Sequence, residues 1–144
     1  MLLLKKENER ILLKLEEMKN YLAELGEMLP NKEEYIGDLV KRRACEKTIG
    51  LAIESLIDAC SMVVSFCKLG IPSDEDNIFD ILVKKNFIKE SLGKQLKEIK
   101  GFRNILTHRY GDINDTLAYE FMSTDLMPFI RFEEVVKRYL SNKS

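Results

Sequence analysis

The sequence predicts an all-α fold, an antiparallel bundle of about five helices. Three observations carry that reading: only 7 Gly and 3 Pro in 144 residues, 20 Leu spread among many charges, and apolar residues that recur at helical rather than strand spacing. The length fits one domain spanning residues 1–144, with enough chain to bury a core without a metal or a disulfide.

Residues 5–29 form the first predicted helix, with Ile11, Leu12, Leu15, Met18, Leu22, Leu25 and Leu29 as its stripe and Pro30 as its stop. Asn31 followed by Glu34 has the spacing of a capping box. The second helix is then expected over about 32–69, with Ile36, Val40, Ile49, Ile53, Leu56, Ile57, Cys60, Val63, Val64 and Cys67 inward. Gly37 and Gly50 interrupt it, and a kink is expected near Gly50. Gly70 and Pro72 end it, and Ser73 with Asp76 opens a short third helix to about Val83. A fourth runs from Asn86 or Phe87 to about His108, turning Ile88, Leu92, Leu96, Ile99, Phe102 and Leu106 inward. The last spans about Asp115 to Leu140, burying Leu117, Phe121, Phe129 and Val136, with a bend at Pro128.

Composition narrows the function. Lys and Arg number 23 against 24 Asp and Glu, so the surface as a whole is no nucleic-acid coat, and contact with RNA or DNA would need a local patch. Cys45, Cys60 and Cys67 form no C-x-x-C pair, and a single His cannot complete a Cys/His zinc set. Buried free thiols in a reducing compartment are expected. The N-terminus turns charged too soon for a signal peptide, and a soluble cytoplasmic protein without a membrane partner is the expectation. A Lys and Glu count of 16 each against one Gln is a mild thermophile-like bias without functional content.

Charge is segregated. Residues 84–110 carry a net +6 and residues 111–134 a net −5. Either the two segments pair with each other, or the basic strip attracts a phosphate backbone.

The strip ends in Gly101-Phe102-Arg103-Asn104-Ile105-Leu106-Thr107-His108-Arg109-Tyr110. Arg103 can hold a phosphate bidentately, and His108 is the one side chain whose ordinary pKa permits proton transfer near neutrality. RNA cleavage without a metal needs such a set: a base for the 2′-hydroxyl proton and a cation for the phosphoryl transition state. Five residues of straight helix separate Arg103 and His108 by roughly 140°. Either the helix unwinds before His108, or two chains share one cleft.

Arg103-Asn104-x-x-x-His108-x-Tyr110 resembles the R-x4-H-x-Y motif of the HEPN superfamily in its HepT-like branch. Arg42-Arg43-Ala44, Leu69-Gly70-Ile71-Pro72 and Gly101 to Leu106 resemble further segments of that branch, so the likeness extends over roughly residues 5–140. The resemblance implies a small all-α homodimer with the motifs of both subunits facing a shared cleft. It implies a metal-independent ribonuclease toxin, neutralised by a minimal nucleotidyltransferase that transfers AMP from ATP, with Mg²⁺, onto the motif tyrosine. Carried over, Arg103 and His108 are catalytic, Asn104 supports them and Tyr110 is the modification target, while Lys97, Lys100 and Arg109 of the basic strip are the expected substrate-binding residues. Cleavage itself would use no cofactor and no metal site. The alternative is a non-catalytic helical adaptor that binds a nucleotidyltransferase, a nucleotide, or both.

Overall fold

A computed structural model describes residues 5–107, 115–124 and 126–142. Among these the chain forms seven helices: α1 (Lys5–Met28), α2 (Lys32–Gly37), α3 (Leu39–Phe66), α4 (Glu75–Lys84), α5 (Glu90–Thr107), α6 (Asp115–Thr124) and α7 (Met127–Asn142). The all-α class holds, and two of the expected helices are each divided in two.

The first division falls at Asp38, whose backbone is extended. Asp38 ends α2 and then caps α3, its side chain accepting a bond from the Lys41 N–H at 3.1 Å. Asn31 caps α2 as its spacing predicts, accepting from the Glu34 N–H at 2.9 Å. Ile36 in α2 and Val40 in the first turn of α3 do not join the buried stripe. Val40 lies nine residues, about two and a half turns, before Ile49, so it points away from the core and is 78% exposed.

The second division precedes α7. Pro128 occupies the first turn of that helix, where its missing N–H costs no intrahelical bond. The expected bend is therefore a helix start. In α6 it is Ala118 and Met122 that turn to the core, one residue on from the expected phase, which leaves Leu117 61% exposed. Leu12 of α1 likewise lies at the solvent edge of its stripe.

Helix ends use local chemistry. Asp74, rather than Ser73, caps α4 by accepting from the Asn77 N–H at 2.8 Å. After α3 the chain reverses at Lys68 and after α4 at Asn86, both with positive φ. Leu69 N–H then bonds Val64 C=O, and Phe87 N–H bonds Leu82 C=O, the six-to-one closure of a left-handed helix stop. The α5 start consequently moves from Asn86 or Phe87 to Glu90.

One apolar cluster unites the helices, with α3 at its centre. Cys45, Cys60 and Cys67 are buried free thiols within it. Length and composition alone would let α3 cross a membrane, but 56% of its apolar stretch is buried inside the bundle, as a central core helix requires. Gly93 sets the approach of α5 to α4, since a Cβ there would collide with the Val83 side chain.

Candidate functional site

Leu92, Leu96 and Ile99 fix α5 to the core. The next face of the same helix carries Lys97, Lys100 and Arg103 at steps of three, so the three cations form one row. That row faces α4. Lys97 Nζ lies 2.5 Å from Asp80 Oδ1 and Lys100 Nζ 2.8 Å from Asp76 Oδ1. Arg103 completes the ladder, with Nη2 2.7 Å from Glu75 Oε1 and Nη1 3.3 Å from Glu75 Oε2.

Lys97, Lys100 and Arg103 of the basic strip pair, among the described residues, with carboxylates of α4. Among the described residues, Lys97 and Lys100 are cations already paired with aspartates. Pairs at this exposure are weak, so a phosphate competes with them at small cost. The hydrogen bond to Asp80 pushes the Lys97 pKa up, and its charge stays fixed across the physiological range.

Arg103 is held more firmly. Its terminal nitrogens grip Glu75 end-on, and Nη2 also donates to Asn104 Oδ1 at 3.1 Å. The two described members of the motif therefore touch. His108, Arg109 and Tyr110 lie outside the described residues.

The far side of Arg103 opens into a cavity of about 430 Å³ between α3 and α5, the size of a small-ligand site. Arg43, Glu46, Lys47 and Glu54 line it from α3, with Leu51 and Leu106 as apolar walls. Arg43, Glu46, Lys47, Gly50 and Glu54 follow one helical face at i, i+3, i+4, i+7 and i+11. Gly50 sits inside the unbroken helix α3. It leaves open the space that a side chain would occupy, since a Cβ there meets nothing within 4 Å. Glu46 is only 7% exposed and receives a hydrogen bond from Arg43 Nη1 at 3.1 Å. Burial pushes its pKa up, Arg43 opposes the shift, Asp115 adds to it, and Arg42 opposes it.

Arg42 anchors the start of α6. Its Nη1 donates to Ile36 C=O at 2.6 Å, and its Nε lies 3.7 Å from Asp115 Oδ2. Tyr119 holds the same helix by donating to Pro30 C=O at 2.7 Å. Phe102 stacks on Phe121 with ring centres 4.1 Å apart, tying α6 to α5.

Periodicity and spacing alone did not single out Glu75, Arg43, Glu46 or Lys47. The charges on α4 were the available signal for Glu75, because Asp74, Glu75, Asp76 and Asp80 form an acidic run opposite the basic one. For Arg43, the resemblance of Arg42-Arg43-Ala44 marked the segment without a role.

The ribonuclease HepT-like family matches residues 18–136. The mRNA nuclease HepT of Shewanella oneidensis is 24% identical over 130 residues, which is 90% of this chain and 98% of that protein. Among solved structures, a tri-AMPylated HEPN toxin of Shewanella oneidensis in complex with MNT antitoxin superposes with a TM-score of 0.83 at 23% identity, covering 89% of this chain and 96% of that one. YutE of Bacillus subtilis, described as a cytosolic protein of unknown function, superposes with a TM-score of 0.81 at 20% identity, covering 99% and 95%.

Proposed function

The chain belongs to the ribonuclease HepT-like family, and from that premise we propose that it is a metal-independent endoribonuclease toxin of a two-component toxin–antitoxin pair. The family match carries the proposal, because residues 18–136 contain the whole Arg103-Asn104-x-x-x-His108-x-Tyr110 motif. The active species is a cytoplasmic homodimer whose two motifs share one cleft, the arrangement that overcomes the roughly 140° between Arg103 and His108 on a straight helix.

In this reading Arg103 stabilises the charge that develops on the phosphoryl oxygens, held in place by Glu75 and Asn104. His108 moves a proton at the 2′-oxygen or the 5′-oxygen. Attack of the 2′-oxygen forms a bond to phosphorus as the bond to the 5′-oxygen breaks, leaving a 2′,3′-cyclic phosphate and a 5′-hydroxyl. Lys97, Lys100 and Arg109 supply phosphate contacts on either side of the cut. The 430 Å³ cavity beside Arg103 gives one nucleotide room.

Control is exerted at Tyr110 by a minimal nucleotidyltransferase that uses ATP and Mg²⁺. The AMPylated state of the Shewanella toxin supports this step. An adenylyl group two residues past His108 adds negative charge and bulk, and Arg103 and Arg109 then bind its phosphate in place of RNA. The test is incubation with ATP, Mg²⁺ and the nucleotidyltransferase encoded beside this protein, followed by intact mass and RNA cleavage. AMP-sized increments that map to Tyr110, with cleavage lost, are expected. A Tyr110→Phe protein that is still modified and silenced contradicts the assignment.

A further inference from the structure

We infer that Gly50 keeps the cavity between α3 and α5 open for the nucleotide next to the cut, whose phosphate Lys47 and Arg43 hold. The inference rests on the ribonuclease reading above and deepens it, by naming the side chains and the gap that receive the RNA strand beside Arg103.

A glycine in mid-helix loses stability relative to alanine, so its presence calls for a structural or a functional reason. The structural reasons are absent at Gly50. Among the described glycines only Gly70 has a positive φ, and α3 runs unbroken from Leu39 to Phe66. A Cβ at residue 50 would meet nothing within 4 Å, whereas one at Gly93 would collide with Val83. What remains is the cavity. Gly101 is equally open, but the 590 Å³ cavity that it lines does not reach Arg103.

Arg43, Lys47, Gly50 and Glu54 fall within about 60° of one another around α3. A larger side chain at residue 50 would therefore project into the 430 Å³ that these residues share with Arg103. Charge is ordered along the stripe: Arg43 and Lys47 precede the gap and Glu54 follows it. Lys47 is exposed and forms no ion pair among the described residues, which leaves its ammonium to a phosphate. Arg43 gives Nη1 to Glu46 at 3.1 Å and keeps further donors on the same guanidinium. Glu46 Oε2 is fully buried, so that carboxylate orients Arg43 and does not meet the RNA. Lys47 and Glu54 stand seven residues, about 10 Å, apart along the helix axis, the scale of one nucleotide from phosphate to base. The phosphate sits at the Lys47 end, and Leu51 and Leu106 wall the ribose and base.

The experiment compares the full-length protein with its Gly50→Ala, Gly50→Leu and Lys47→Gln variants. Four quantities are measured: cleavage of a short RNA, binding of the same oligonucleotide with 2′-deoxyribose at the cut across salt concentrations, melting temperature, and mass by light scattering. Both Gly50 variants should melt above the wild type, because alanine and leucine favour a helix over glycine. Gly50→Ala should cut RNA near the wild-type rate, since a methyl group leaves most of the cavity free. Gly50→Leu should lose about 10²-fold in cleavage and bind the oligonucleotide more weakly, with its mass in solution unchanged. A stability gain joined to an activity loss is a pair of effects that a purely structural glycine does not give.

Lys47→Gln should keep the wild-type melting temperature and raise KM more than it lowers kcat. It should also reduce the slope of log affinity against log salt by about 0.7, the share of one phosphate contact on a single strand. This variant tests the seat even if leucine at residue 50 disturbs folding. A Gly50→Leu protein that cuts and binds like the wild type overturns the inference. So does one that loses cleavage by falling to a smaller mass, which would give the space to a partner subunit, or an unchanged salt slope in Lys47→Gln. A wild-type protein that binds the oligonucleotide through Gly50 and Lys47 yet leaves RNA uncut contradicts the ribonuclease reading alone, so the two failures are distinguishable.

Discussion

Helix α3 serves two regions of the molecule in opposite ways. Toward α1 it joins an apolar seam in which Ile11, Leu15, Met18 and Leu25 are buried with Ile49, Ile53, Leu56 and Cys60. Toward α5 the same helix presents Arg43, Glu46, Lys47 and Glu54 around a cavity that ends at Arg103. The first seam excludes water and gains stability in proportion to apolar area. The second keeps charge and open space together, a combination that contributes little to stability and suits the handling of anions. Stability and chemistry are separable because they occupy different faces of one rigid element.

That separation is open to attack at its strongest point first. Arg103→Ala should lower RNA cleavage by about 10²–10³-fold, the range for losing one transition-state donor, while the melting temperature stays near the wild-type value. Equal falls in both would merge the two regions. On the other seam, Leu56→Ala should cost about 3 kcal/mol in a denaturant titration, since Leu56 is fully buried. The protein that remains folded should cut RNA at nearly the wild-type rate.

A smaller effect is expected at Glu75, which grips Arg103 from α4 while 42% exposed. Glu75→Ala should change stability by less than about 1 kcal/mol. The turnover rate should fall about tenfold as the guanidinium loses its fixed orientation, with the Michaelis constant little changed. A rise in activity would mean that Glu75 blocks Arg103 rather than positions it.

The apolar seam was the more legible of the two in the sequence. Periodicity located Ile11, Leu15, Met18, Ile49, Ile53 and Leu56 because burial writes a 3.6-residue repeat into the chain. It failed at Val40, which stands half a turn out of phase with Ile49 in the same helix, and at Leu117, one residue out of phase with Ala118 and Met122 in α6. The charged seam leaves no such repeat. Arg103 and Asn104 were found through a motif, whereas Glu75 meets Arg103, and Glu46 lines the same cavity, only through the packing of α4 and α3 on α5. Charge summed over residues 84–110 and 111–134 left out the acids of α4 that pair with Lys97, Lys100 and Arg103, which lie outside both windows. Gly50 carried a similar ambiguity: a glycine within a helix signals a kink or a space, and only the tertiary structure distinguishes them.

The most direct test of the central claim is cleavage of RNA by the unmodified protein in excess EDTA, with the chemistry of the new ends read by mass. Cutting at the rate seen without chelator, with 2′,3′-cyclic phosphate and 5′-hydroxyl ends that disappear in Arg103→Ala, is the expected result. Cleavage that stops on chelation and returns with Mg²⁺, or that leaves 5′-phosphate ends, would contradict a mechanism in which the 2′-hydroxyl attacks and side chains, without a metal, handle every charge and proton.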